Sequence, residues 1–199
     1  MEDVMSEDRV RDEIAFIRTA IGEGRNYVMG RSWDFVIWGV ATIIMYLGIY
    51  ARVLGWWDVD ITVIWLVCMN LPWLYTLRGI TRSSRAAAPP MARAMGALWL
   101  GCAITLGVLA TAFTYTGDMR GWFAAIAAGV MAIGFFGSAL LCNLPWMRWV
   151  AVGWWLGALA TAAIHRRPEV LPVAAALTFL LLVLPGIVLL RSRPTLATA

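Results

Sequence analysis

Few residues in this chain could do chemistry, and their spacing keeps them apart. His165 is the single histidine and is followed by Arg166 and Arg167. Haem ligation by two histidines of one chain is therefore excluded, and a zinc site of ordinary composition has too few ligands. Cys68, Cys102 and Cys142 each fall inside an apolar run with no Cys-x-x-Cys spacing. They read as free, buried, hydrophobe-like thiols, not as a disulfide or metal set. Serine or cysteine hydrolysis needs a base beside the nucleophile, and none lies within the spans, His165 standing at the end of its run. Asp34, Asp60 and Arg148 stand at the ends of those runs, shallow enough to stay hydrated or to snorkel. An ionisable group deep in a membrane is costly and defaults to function; none lies mid-run, which argues against proton-coupled transport. The expectation is a non-enzymatic protein with no catalytic, metal or cofactor site.

The polar groups left inside the apolar runs are amides and hydroxyls, which most often bond across helices. Two asparagines open the same tetrapeptide, Asn70-Leu71-Pro72-Trp73 and Asn143-Leu144-Pro145-Trp146, with a weaker relative in Val183-Leu184-Pro185-Gly186. Trp38-Gly39, Trp99-Leu100-Gly101 and Trp155-Leu156-Gly157 alternate with them. This pattern suggests three helical hairpins, each opening on a Trp/Gly step and closing on Leu-Pro, packed in parallel about the membrane normal. Proline removes a backbone donor, so each Leu-Pro marks a kink or a helix end. Asn70 and Asn143 are placed to bond the carbonyls so freed. Asn70, Pro72, Asn143 and Pro145 are thus the candidate structural or pathway residues. Gly153 and Gly157 form a Gly-x-x-x-Gly match suited to close helix contact.

The elements that must position these groups are transmembrane helices. Of the 199 residues 61% are hydrophobic and 14% charged, against about 25% charged in soluble domains. Charge-free runs cover 35–51, 61–77, 94–117, 121–147, 149–165 and 170–190. Each is about long enough for a helix rising 1.5 Å per residue to cross a core of about 30 Å. The expected fold is all-α with six spans: Trp33–Val53, Asp60–Leu77, Met91–Tyr115, Gly121–Cys142, Trp146–Ile164 and Leu171–Leu190. Tryptophans near several ends suit an aromatic belt. All sixteen basic residues are arginine, which reads as genomic base composition. With the N-terminus cytoplasmic, twelve arginines fall inside and four (Arg52, Arg120, Arg166, Arg167) outside, as the positive-inside rule requires. The expectation is a multi-pass protein of the inner (plasma) membrane, with both ends cytoplasmic and the first span acting as its own insertion signal.

Residues 1–30 form a separate cytoplasmic segment before a membrane domain over 31–193 and a short tail over 194–199. Ser6, Glu7 and Asp8 resemble a helix start. Val10, Ile14, Ile17 and Ile21 then recur at spacings of 4, 3 and 4, an apolar stripe like a coiled-coil seam, until Gly22 and Gly24 break the pattern. At under two heptads the stripe is too short to stand alone, so it is the candidate partner-docking surface. Its partner would be the chain's own bundle, a second copy, the membrane surface or another protein. Arg78, Arg82 and Arg85, in the inner loop around Ala86-Ala87-Ala88-Pro89-Pro90, are candidates for holding anionic lipid head groups.

The opening Arg11-Asp12-Glu13-Ile14-Ala15-Phe16-Ile17-Arg18, followed by Trp33 to Gly39 entering a span, resembles a loose group of small uncharacterised bacterial membrane proteins. Those have a short charged N-terminal helix and then several spans. Members of that group accompany winged-helix regulators, so the resemblance implies a sensing or regulatory role and carries no catalytic residue across. The preferred expectation is a protein that works by association, as sensor, regulator or accessory subunit. The alternatives are a small transporter or channel with a pathway past Asn70 and Asn143, and a lipid-binding protein. Membrane lipid and a homo-oligomeric or protein partner at the cytoplasmic face are the expected partners, and nucleic acid is not, because the net charge of +4 belongs to loops and flanks.

Overall fold

A chain in hydrocarbon must satisfy its backbone groups internally, and every regular element described here is a helix. The computed structural model describes residues 2–83, 90–116 and 122–192. Helix α1 (Glu2–Gly30) leads almost directly into α2 (Ser32–Val53). Then come α3 (Ile61–Ser83), α4 (Pro90–Thr116), α5 (Trp122–Leu141) and α6 (Pro145–Ala163). The last membrane helix is composite: α7 (Val170–Thr178), a π-helical turn (Phe179–Val183) and α8 (Leu184–Arg191). Among the described residues five stretches are long and apolar enough to cross a membrane: Ser32–Val53, Ile61–Arg78, Pro90–Phe113, Trp122–Leu141 and Val170–Arg191. The chain is an all-α membrane protein. Helix α6 has 19 residues, but Arg148 and four tryptophans keep it out of that set.

The core has two parts, one centred on the α5–α6 pair and one where α2 packs on α3 and α7. The α5–α6 pair makes the most extensive contact in the molecule, as a short connection between antiparallel neighbours dictates. Phe135, Ala132, Ala139, Met147 and Ala151 are completely buried there. Gly153 and Gly157 on α6 face the composite helix so closely that an added Cβ would stand 2.8 Å from Leu181 and 3.0 Å from Leu177. The Gly-x-x-x-Gly step is therefore a packing groove. Phe35 of α2 meets Trp99 of α4 at 5.5 Å and Phe135 of α5 at 5.6 Å between ring centroids, tying the first span to both. Trp99 Nε1 donates to Ser138 Oγ at 3.1 Å, and that hydroxyl donates to Gly134 O at 2.7 Å. Helices α3 and α4 are peripheral: α3 packs chiefly on α2, and α4 on α5 and α1.

Proline placement explains the irregularities. Pro185 has no N–H for the carbonyl of Leu181, four residues earlier. That carbonyl instead accepts Trp154 Nε1–H at 3.2 Å, and the ladder shifts to the π form, with Leu184 N–H bonding Phe179 O. In α3, by contrast, Pro72 is tolerated inside a continuous helix and is fully buried against α2. Asp60 caps the start of α3: its Oδ1 accepts the Thr62 N–H at 2.7 Å and its carbonyl accepts Ile64 N–H at 3.1 Å. Hydrogen bonds from the Thr62 side chain and then its backbone hold the Asp60 carboxyl below the usual carboxylate range.

Two outcomes follow from these caps. Trp154→Phe is expected to cost about 1–3 kcal/mol of stability, as for a buried carbonyl left unpaired, read from denaturant unfolding in detergent. In a Pro185→Ala background the restored N–H can serve Leu181, so the same change should cost less than half as much; equal costs in both backgrounds would refute the capping role. The Asp60 cap has a folded pKa below its unfolded one. Its contribution is therefore present above the unfolded pKa and lost as pH falls through the folded value, below about pH 4. Amide-exchange protection at Thr62 should fall over that window in the wild type and stay level in Asp60→Asn, whose amide caps without ionising.

Candidate functional site

Helix α1 does not stop at its glycines. It begins at Glu2, ahead of Ser6, and runs through Gly22 and Gly24 to Gly30. The expected N-cap at Ser6 and break at Gly22–Gly24 are therefore corrected. Gly24 serves contact instead of termination: an added Cβ would lie 2.7 Å from Met91 Cγ and 3.2 Å from Cys142 Sγ. One turn on, Val28 is buried with Met95 and Cys142. The C-terminal half of α1 is thus seated on the start of α4 and the α5–α6 turn. Among the described side chains of the N-terminal half, those of residues 9–19 are exposed. Val10, Ile14 and Ile17 are 53%, 47% and 56% exposed, and Phe16 70%, while Ile21 at the boundary is half-buried. Arg9, Asp12 and Glu13 edge the same shallow surface.

Where α1 meets α2 the chain bends at Arg31 (φ −103°, ψ 16°), and several side chains hold the bend. Arg31 Nε pairs with Asp34 Oδ2 at 2.6 Å, and Nη1 donates to Tyr27 OH at 2.8 Å. Burial opposes the guanidinium charge, but the bonds to Tyr27 and Asp34 outweigh it and raise the Arg31 pKa. Ser32 is fully buried and donates to Met29 O at 2.8 Å. Gly186 of α8 lies against this joint, with room for an added Cβ only 3.3 Å from Ser32 O and 2.9 Å from Val36. Asp34, which composition places simply at a span boundary, is thus one arm of a clasp. Its signal in the sequence is the Arg31–Asp34 spacing of three residues with Tyr27 four residues before.

The other candidate residues are not gathered into one place. Asn70 is exposed on α3 and its Nδ2 donates to Leu66 O at 2.7 Å. The carbonyl that Pro72 deprives is that of Cys68, so Asn70 does not relieve it. Asn143 is exposed with φ +49°. Its N–H bonds Leu140 O at 3.4 Å while Leu144 N–H bonds Ala139 O at 3.0 Å, which is a Schellman cap with asparagine at the left-handed position. Pro145 then opens α6, where a missing N–H costs nothing. Among the described residues Asn70 and Asn143 share no polar contact. Pro72 and Leu71 border a groove of about 310 Å³ with Val36, Ile37, Val40 and Ile44 of α2, all of it apolar. Arg78 is exposed toward the C-terminal end of α3; the Arg82 side chain and Arg85 lie outside the described residues.

His165 stacks on Trp122 at 4.5 Å and its Nδ1 lies 2.7 Å from Ala162 O, an arrangement that fixes the end of α6. Among the described residues no three His, Cys, Asp or Glu side chains converge as metal ligands. Comparison with protein-family models, curated proteins and solved structures finds no match.

The left-handed cap gives a direct test of what Asn143 does. Asn143→Gly is expected to leave stability unchanged or slightly raised, and Asn143→Val to cost about 1–2 kcal/mol, both measured by unfolding in detergent. A Gly variant as damaged as the Val variant would show that the amide, not the backbone, is what matters.

Proposed function

We propose that this is a non-enzymatic membrane protein that works by association, as a sensor, regulator or accessory subunit, through the cytoplasmic half of α1. The observation that carries the reading is the split along α1. One half is locked to the bundle by Gly24, Val28 and the Arg31 clasp, while Val10, Ile14 and Ile17 on the same helix remain about half exposed. A helix anchored at one end presents its apolar stripe already folded, so a partner gains the contact without the cost of ordering it. The residues capable of chemistry are dispersed or occupied in caps, which leaves contact as the best-supported activity.

In this reading α6 is a sixth span. Its 19 residues rise about 28 Å, and it pairs with α5 along its length. The chain lies in a bacterial inner membrane with both ends cytoplasmic, which puts α1 and the arginine-rich loop on one side.

Changing Val10, Ile14 and Ile17 to Ser is expected to weaken partner binding at least about tenfold, as for loss of central interface residues. Native mass spectrometry of the protein taken from its own membrane in mild detergent reads this directly. The reading fails if the purified chain alone moves a solute or turns over a substrate in vesicles, with the triple-serine variant behaving as wild type.

A further inference from the structure

We propose that α3 is the face through which two copies of this chain associate within the membrane, with Asn70 meeting Asn70 of the second copy. Val63, Val67, Asn70, Leu74 and Leu77 recur at spacings of 4, 3, 4 and 3, the period of a helix–helix seam. All five are exposed, Val67 by 53% and Leu74 by 61%, because α3 packs chiefly on α2 and turns this stripe away from it. An apolar outward stripe alone would be ordinary lipid-facing surface. Asn70 is what sets it apart.

Asn70 is the tenth residue of the apolar stretch Ile61–Arg78, which is 18 residues long, and so lies at the middle of the hydrocarbon, about 15 Å from either edge. One amide N–H is used on Leu66 O. Among the described residues the side-chain carbonyl makes no hydrogen bond, and the residue is exposed at a depth where acyl chains offer none and head groups do not reach. An amide there is stabilised by a donor and acceptor on a neighbouring helix. Copies inserted with the same topology and related by a two-fold along the membrane normal place the two Asn70 amides at equal depth, facing each other. Each supplies one donor and one acceptor, so the contact is self-complementary. A different partner would need its own polar group at this depth and angle.

The inference is independent of the α1 reading, and the chain with Val10, Ile14 and Ile17 changed to Ser should still pair. The test is energy transfer between labelled full-length chains in phosphatidylcholine–phosphatidylglycerol vesicles, titrated by dilution with lipid. Asn70→Leu, which keeps the apolar stripe, is expected to lower the pairing constant by about 3- to 30-fold, and Asn70→Gln to retain most of it. With Cys68, Cys102 and Cys142 replaced by alanine, Val67→Cys and Leu74→Cys should cross-link between copies under mild oxidant. Ile104→Cys and Val108→Cys, on the outward face of α4, should not. A chain that stays monomeric on dilution, pairing indifferent to Asn70→Leu, or cross-linking through α4 and not α3 would each overturn the proposal.

Discussion

Hydrocarbon supplies no hydrogen bonds, so a backbone group without an internal partner costs several kcal/mol wherever it is immersed. That constraint sorts the prolines of this chain by depth. Pro145 lies where α5 has already run 20 residues, about the full thickness of the core. The chain can end a helix there, close it with a Schellman cap and restart. Pro72 comes only twelve residues into α3. A break at that point would strand carbonyls and amides near the midplane, so the helix continues through the proline and buries its ring against α2. Pro185 is the intermediate case, resolved by a π-helical turn and an indole from α6 on the deprived carbonyl.

The same constraint explains why an identical tetrapeptide takes two conformations. Asn-Leu-Pro-Trp is helix interior at residues 70–73, whereas at 143–146 it spans the end of a turn and the first two residues of α6. Local sequence cannot choose between these, because asparagine tolerates the left-handed region and also fits a helix. The distance already travelled through the membrane chooses. Fold class and most helix positions were therefore legible from composition and charge-free runs. The function of each Leu-Pro step was not, since it depends on tertiary partners such as Trp154. Gly24 illustrates the same limit: as a breaker it would end α1, yet close approach of Met91 and Cys142 makes it a contact residue in an unbroken helix. The apolar stripe at Val10, Ile14 and Ile17 was legible as a period, whereas its exposure was not.

Burial is distributed unevenly across the spans. In their most apolar windows 44% of residues are buried in α5 and in the composite helix, against 17% in α3 and 11% in α4. The molecule is thus built on two close helix pairs, α5 with α6 and α2 with the composite helix, with α3 added at the edge on α2 and α4 on α5 and α1. An edge helix held by one neighbour can carry a polar residue outward without disturbing the core, and α3 does so with Asn70.

The joint at Arg31 links α1 to the membrane helices. Arg31 bonds back to Tyr27 on α1 and forward to Asp34 on α2, while Ser32 and Val36 are pressed against Gly186 of α8. Rotation of α1 about its own axis would move Tyr27 and Gly24 together. It would then have to break the charge-assisted bonds at Arg31 or carry the start of α2 with it. Gly186 admits no larger side chain beside Ser32 O, so α8 is packed closely against the start of α2. A glycine at position 31 would lack both side-chain bonds that hold the two helices at this joint.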